Sequence, residues 1–557
     1  MNLRDYQNDL VGSIVQQWDS GTDSTLAVLY TGGGKTVCFA DLIRKVQPKR
    51  ALVLAHREEL IYQACHKIKA VTGFECEIEM AGQRASTNLF HNSPVVVATV
   101  QTLISGQRMQ KFRPTDFGVI ICDEAHHYVS PSFVRVLDYF RQNPAMRIAG
   151  FTATPKRADE TALGKVFKSV AYTEDILDGI KKGWLCDVTQ QFVQVSSLDY
   201  SHIKTVAGDF NSAQLKAVME AEENIAGVCQ PALEVLYGLP PHTLKEIPVP
   251  DWRAYIEQLK RTPRRAIMFT VSVAQAEASA GLFNRVVPHL AEWVCGKTDK
   301  IKRKEILDRF SKGETHVVMN CGVLTEGYDN PAVEVIFMAR PTKSESLYRQ
   351  MVGRSTRTLP GVVDGIETAE ARKEAIAKSA KPFCRIIDFS GNSGRHRLIS
   401  CMDILGGKMT DEAKAKAIAK AKAEGKPVRV SVALTNAEVA CEEERKAKAE
   451  RQRIYEEARK KHLVPKSHYG MRDVNPFERL GIAPASGRVR YGTGKPASEK
   501  QIKFLRRFMR GVVPHPERLS AGEAGRLIGE KMAKWEGNNS EKLAAKDVHE
   551  YLAGGIQ

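Results

Sequence analysis

Apolar residues in this chain come in short unbroken runs rather than in strict alternation with polar ones. Within the first 155 positions they fill residues 25–31, 50–56, 93–100, 117–124 and 147–154, separated by stretches with helical spacing. A strand that is apolar on both faces is covered on both faces, so such runs predict a parallel sheet sandwiched between helices. The pattern returns at 265–272, 290–296, 316–323, 333–339 and 384–389, with helical stretches such as 300–312 between them. Two tandem α/β parallel-sheet lobes are therefore expected, at residues 1–185 and 261–400. The interval 186–260 is mixed in polarity and carries a proline-rich turn at Leu239-Pro-Pro241, so it reads as a linker with small helices of its own.

Beyond residue 408 the composition shifts to Ala, Lys and Glu, notably at 411–424 and 436–462. Such segments favour solvated helix with opposite charges a turn apart, and 408–469 reads as a charged helical arm. Residues 470–557 regain a core pattern. Ser498-Glu-Lys-Gln501 and Ser520-Ala-Gly-Glu523 both have the spacing of a capping box. Ile502, Leu505 and Phe508, then Leu527, Ile528 and Trp535, follow at helical intervals, which predicts a small helical C-terminal module.

Charge narrows the choice of partners. The 557 residues hold 82 Lys and Arg against 65 Asp and Glu, a net charge of +17 that favours a polyanion and disfavours an acidic scaffold role. The 11 cysteines show no Cys-x-x-Cys spacing of the kind a zinc or redox site needs, and Cys38, Cys122 and Cys321 lie in apolar runs. The first ten residues are polar and charged, and no apolar run reaches the length of a membrane span. A cytoplasmic protein with no membrane partner is the expectation.

The candidate chemistry sits where apolar runs end. Residues 26–30 lead into Thr31-Gly-Gly-Gly-Lys-Thr36 and then a helical pattern. Backbone N–H groups of Gly32, Gly33 and Gly34 can there wrap phosphates at a helix N-terminus, with Lys35 neutralising their charge and Thr36 on Mg²⁺. The run from Phe117 ends in Asp123-Glu-Ala-His126, which supplies Asp123 as a metal carboxylate and Glu124 to orient and deprotonate water. Leu29 stands where the strict phosphate-loop pattern has glycine, and either motif alone reads as a surface loop. Both in one chain, in this order and each after a buried-type strand, point to ATP hydrolysis with Mg²⁺. In the second lobe, Gln350-Met-Val-Gly-Arg-Ser-Thr-Arg357 puts Arg354 and Arg357 a turn apart on an expected helix. Both guanidinium groups are then expected to reach the transferring phosphoryl across a cleft.

With these motifs in view the chain resembles the superfamily 2 helicases. Within them it is most similar to the RadD-type bacterial and phage DNA helicases, which are related to restriction-enzyme motor subunits. The resemblance runs over about the first 400 residues. It includes Leu3-Arg-Asp-Tyr-Gln7, Leu52-Val-Leu-Ala-His-Arg57, Val97-Ala-Thr-Val-Gln-Thr102 and Phe151-Thr-Ala-Thr-Pro155 in the first lobe. In the second it includes Val323-Leu-Thr-Glu-Gly-Tyr-Asp-Asn-Pro331, Ala339-Arg-Pro-Thr342, Ser346-Leu-Tyr-Arg-Gln350 and Ile387-Asp-Phe-Ser-Gly391.

The resemblance implies two RecA-like lobes and an ATP-dependent DNA motor, a helicase or branch-migrating translocase of a bacterium or phage-infected cell. It further implies adenine contact by Gln7, Gly327 and Asp329 facing ATP, and Gln350 near the attacking water. His126, Thr152 and Thr154 would couple hydrolysis to lobe movement, and His56, Arg57, Thr99 and Thr102 would grip the phosphodiester backbone of DNA. An RNA helicase, or a nucleotide-gated DNA-binding recruitment protein, are the alternatives. A replication or repair partner on the C-terminal helices is a further expectation. The cysteine cluster some relatives carry after the second lobe is missing, and a charged insert at 361–381 has no counterpart in the motif set.

Overall fold

The computed structural model describes residues 3–56, 58–87, 93–127, 130–153, 163–206, 208–325, 327–392, 398–406, 409–424, 426–460, 494–509 and 511–537, excepting the side chains at 59, 458–460 and 533–537. Among these residues the expected strands of the first lobe form, and two more join them. They are β1 (Ser24–Leu29), β2 (Ala51–Ala55), β3 (Cys76–Glu79), β4 (Val95–Thr99), β5 (Val119–Asp123), β6 (Arg147–Thr152) and β7 (Ser169–Glu174). They pair in parallel in the order β3-β4-β2-β5-β6-β1-β7. The central strands β1, β2, β4 and β5 are buried along their whole length, as their unbroken apolarity requires. The edge strands β3 and β7 are partly exposed and correspondingly polar, so they leave no run in the sequence.

The second sheet contains β8 (Asp187–Asp199), β11 (Ala266–Thr270), β12 (Ala291–Cys295), β13 (Val317–Cys321), β14 (Val335–Ala339), β15 (Phe383–Asn392) and β16 (Val428–Arg429), in the order β12-β13-β11-β14-β15-β8-β16. A two-stranded hairpin, β9 (Thr205–Val206) with β10 (Asp209–Phe210), stands apart from it. β8 is the main departure from expectation: residues 187–199 lie within the interval read as a linker, yet they pair in parallel along β15. The strand escapes a hydrophobic scan because its buried positions include Thr189 and Gln190. Gln190 is tolerated there because its Nε2 donates to Asp388 Oδ2 at 2.6 Å. The rest of the interval does carry helices of its own, Ser212–Glu220, Glu222–Tyr237 and Trp252–Gln258.

The charged arm is also less free than its composition suggests. Helix Asp411–Glu424 buries Ala413, Ala417 and Ala421, a four-residue stripe of the smallest side chains that lets a Lys-rich helix lie on the core, and β16 then pairs antiparallel with β8. One apolar cluster runs from Tyr6 and Leu29 through Trp184, Leu185, Cys186 and Val188 to Phe269 and Leu434. Residues 1–449 accordingly form one compact unit, and residues 450–557 a second. In the second unit, helices Glu499–Phe508 and Ala521–Gly537 enclose Leu505, Val513, Leu519, Ala524 and Leu527. The expected capping box is present: Ser498 Oγ accepts from Gln501 N, and Gln501 Oε1 accepts from Ser498 N at 3.0 Å. No helix among the described residues is long and apolar enough to cross a membrane.

Candidate active site

In a parallel sheet all strands end on the same edge, and here β5, β6 and β1 are consecutive neighbours. That order places residues 31–36, 123–126 and 152 side by side. After β1 the chain passes through Gly32 (φ +90°) and Gly34 (φ +83°) before helix Lys35–Lys45 begins, so the loop's amides precede a helix N-terminus. Gly33 explains the leucine that departs from the strict pattern. A Cβ at 33 would stand 2.7 Å from Leu29 Cγ, so the loop folds down onto that side chain and has no room for another. Tyr6 OH and Gln7 Nε2 donate to Gly33 O at 2.8 and 3.0 Å, and Gln7 Oε1 accepts from Arg4 N at 3.0 Å. The expected adenine reader thus has both ends of its amide on the chain and buttresses the phosphate loop.

The Asp-Glu-Ala-His box closes around the same loop. Asp123 is buried and its Oδ1 accepts from Glu124 N at 3.0 Å. Glu124 adopts φ +51°, a left-handed conformation that costs a non-glycine residue about 1 kcal/mol or more and is stored where a side chain must be aimed. Its Oε1 lies 3.0 Å from Lys35 Nζ, and its Oε2 lies 3.6 Å from His126 Nδ1. His126 Nδ1 is 3.1 Å from Thr152 Oγ1. Lys35, Glu124, His126 and Thr152 are therefore one contiguous chain of polar contacts, with Thr36 on the first turn beside Lys35. Glycine amides, a lysine, a threonine and a single buried carboxylate fit a Mg-nucleotide, because Mg²⁺ keeps most of its ligands as water and phosphate oxygen.

From the second lobe the arrangement differs from expectation. The helix carrying Gln350 runs Glu345–Val352 and stops at Gly353, so Arg354 and Arg357 do not share a helical face. Glycine is required at the stop. A Cβ on Gly353 would stand 2.6 Å from Thr31 Cβ, so the second lobe touches the phosphate loop at this point. Arg354 turns back into its own lobe, where Nη2 and Nε donate to Thr325 O at 2.7 and 3.2 Å and Nη1 donates to Tyr328 O at 2.6 Å. Arg357 reaches the first lobe: its Nε is 3.0 Å from where a Gly32 Cβ would be, and its Nη1 pairs with Asp329. Gly327 also faces the first lobe, its carbonyl accepting from Gln63 Nε2 at 2.6 Å, while Gln350 is buried.

The residues expected to hold a nucleic-acid backbone divide as well. Thr99 caps helix Val100–Ile104, accepting from Thr102 N, and its hydroxyl is 2.7 Å from Thr102 Oγ1, which accepts from Ala81 N at 3.2 Å. Both threonines are buried, so their hydroxyls serve the lobe's own backbone. His56 is half-buried and packs against His127, with ring centroids 4.1 Å apart and planes inclined by 45°, and His127 in turn packs against His126 at 4.2 Å and 41°. Arg57 and Thr154 lie outside the described residues. Sequence reasoning missed Arg4, Trp184 and Arg372. The Arg4 and Arg372 guanidinium carbons lie 4.5 and 3.9 Å from the Trp184 ring centroid, and Arg4 also pairs with Asp364 at 3.2 Å. No local pattern joins positions so far apart in the chain.

Known proteins share these two lobes. The family described as type III restriction enzyme, res subunit, matches residues 1–157, and the helicase conserved C-terminal domain matches residues 251–358. Together they identify a superfamily 2 helicase core with a first lobe related to restriction-enzyme motor subunits. Among individual proteins, the chain is 34% identical over 404 residues to IRC3 of Saccharomyces cerevisiae, named as an ATP-dependent helicase, covering 70% of this chain and 52% of that protein. It is 29% identical over 376 residues to irc3 of Schizosaccharomyces pombe, named as a mitochondrial ATP-dependent helicase, covering 65% and 56%. A 51.5 kDa protein of a Lactococcus phage is 25% identical over 336 residues, covering 58% and 61%. The chain thus spans little more than half the length of the relatives it matches.

Proposed function

We propose that this chain is an ATP- and Mg²⁺-dependent DNA motor, a helicase or translocase of the RadD type from a bacterial or phage setting. The observation that carries the reading is the split nucleotide site. Phosphate loop, Asp123 and Glu124 belong to one lobe, while Arg357 enters from the other and lies against Gly32. A site completed by two lobes makes turnover depend on their closure, which is what converts hydrolysis into movement.

In this reading the amides of residues 32–34 and Lys35 bind the phosphates, and Thr36 and Asp123 would hold Mg²⁺, which when bound neutralises phosphate charge. Glu124 takes the proton of the attacking water. Arg357 stabilises the charge that develops on the transferring phosphoryl, and the His126–Thr152 contact passes the change to the end of β6. The excess of positive charge and the similarity to proteins named as helicases support a nucleic-acid track, and the match to a family described as a restriction-enzyme subunit supports DNA.

ATP turnover by the full chain, measured alone and with single-stranded DNA, duplex DNA and RNA, tests this. Stimulation by DNA is expected. Stimulation by RNA alone overturns the DNA assignment, and nucleotide binding without turnover overturns the motor in favour of a recruitment protein.

A further inference from the structure

We propose that Lys381, the last residue of the charged insert, is a positioning residue that sets Arg357 against the phosphate loop. The inference rests on the two-lobe ATPase reading above and assigns the insert a purpose. Lys381 is only 2% exposed. Its Nζ donates to Arg357 O at 2.8 Å and to Pro331 O at 2.7 Å. A buried ammonium held by two neutral carbonyls is a costly way to fill space, since a methionine of similar length avoids desolvating a charge. What the ammonium supplies is geometry. Pro331 follows Asp329 by two residues, so one donor group ties together the two segments that carry the Asp329–Arg357 ion pair.

The surroundings act on the same point. Leu185 pairs with Arg357 in an isolated antiparallel bridge, Cys186 N donates to Thr356 O at 2.8 Å, and Cys186 Sγ lies 3.5 Å from Arg357 O. The insert is anchored upstream by Arg372 on helix Ala369–Lys378. There Nη2 and Nε donate to Lys182 O at 2.8 and 2.9 Å, and Nη1 donates to Glu367 O at 2.8 Å and Ile366 O at 2.9 Å. Arg372 thus braces residues 366–372 on the connector between the lobes, and the brace ends in Lys381 behind Arg357. Freed of this hold, the Arg357 backbone has fewer bonds fixing how far its side chain extends over Gly32.

The test uses the full chain as wild type, Lys381→Met, Arg357→Ala and the double variant. Lys381→Met is expected to fold, to keep KM for ATP within threefold and to lower kcat at least tenfold. Added to Arg357→Ala it should change the residual kcat less than twofold, because it acts through that arginine. In the nucleotide-free protein it should speed hydrogen exchange at the Cys186 amide while exchange in β11 stays unchanged. Unaltered kcat and exchange overturn the proposal, as does a tenfold loss that persists in the Arg357→Ala background. If Lys381→Met does not fold, Lys381→Gln is put through the same cycle and the same exchange measurement, with the same outcomes deciding. Should the wild type not hydrolyse ATP, the ATPase reading fails, and the exchange result still decides whether Lys381 holds the Arg357 backbone.

Discussion

Lys35 Nζ and Glu124 Oε1 lie 3.0 Å apart, in a pair whose side chains are 11% and 16% exposed. In the proposed ATPase, the cation that would meet phosphate is thus already paired with the carboxylate that would meet the attacking water. A pair this secluded is screened little by salt, so each partner holds the other in place until nucleotide competes for the lysine.

Removing the carboxylate's charge separates binding from turnover. In Glu124→Gln, Lys35 keeps its charge and loses its competitor, so nucleotide affinity should be unchanged or tighter while kcat falls by about 10²-fold or more, the usual loss for a general base. Phosphate release, together with equilibrium titration of a fluorescent ATP analogue, checks this. Retained turnover would remove Glu124 from the mechanism. Lys35→Ala should instead lose both affinity and turnover.

Contact between the lobes can be probed without touching a charged group. A methyl group on Gly353 would stand 2.6 Å from Thr31 Cβ and 2.9 Å from Thr31 Cγ2. Neither atom sits at the end of a long flexible side chain, so Gly353→Ala must push residues 31–33 and the end of helix Glu345–Val352 apart. Since a 1 Å misplacement in a site of this kind costs about 10²-fold, kcat should drop by roughly that factor. Thermal stability should change by only a few degrees, because the contact lies between lobes and not within either core. Wild-type kcat would show that the lobes part at this point during turnover.

How much of this was legible beforehand depends on whether one position carried its own signal. Buried strands such as Val95–Thr99 and Val119–Asp123 announce themselves because both faces are covered. β8 did not, because a buried glutamine is satisfied by Asp388, a partner 198 residues away. The glycine loop and the Asp-Glu box could be picked out because each is contiguous in the chain, and the fold brings Lys35 and Glu124 together. The split roles of Arg354 and Arg357 were not, since both depend on where Gly353 stops a helix, and that is fixed by contact with Thr31 in the other lobe. Thr99 and Thr102 kept their place but not their exposure, for a capping hydroxyl and a phosphate-binding one are the same letter in a sequence.

Asp388, next to β8, gives the fold a pH signature. Burial raises its carboxyl to about 6, although the Gln190 and Tyr348 side chains that donate to it pull the other way. The folded chain therefore holds this proton more tightly than the unfolded chain, in which the carboxyl titrates at its ordinary 3.8. The contribution is fully present below that value and is lost as pH rises through about 6, a span worth up to about 3 kcal/mol. Asp388→Asn cannot ionise, so its melting temperature should gain on the wild type as pH rises from 4.5 to about 6.5 and then hold a constant offset. Melting curves at four pH values check this, and parallel profiles would mean that the carboxyl stays ionised throughout.

The three packed imidazoles offer the proposed motor a route by which an event on ATP is felt where His56 would meet nucleic acid. His126 contacts Glu124 and Thr152, His127 packs against His126 at 4.2 Å with planes tilted by 41°, and His56 packs against His127 at 4.1 Å with planes tilted by 45°. His56 follows β2 and resembles a backbone-gripping position, so among the described residues His127 lies between the box and His56 in this series. His127→Ala removes the middle ring while leaving Lys35, Glu124 and Arg357 in place. Basal ATP turnover should then stay within about twofold of wild type, while stimulation by single-stranded DNA falls at least fivefold, since coupling between sites of this kind is typically 5- to 150-fold. His127→Phe keeps an aromatic ring and should restore most of the stimulation if ring packing carries the signal. Loss of stimulation in both variants would assign the coupling to the imidazole nitrogens, and full stimulation in His127→Ala would place it in the backbone of residues 124–127.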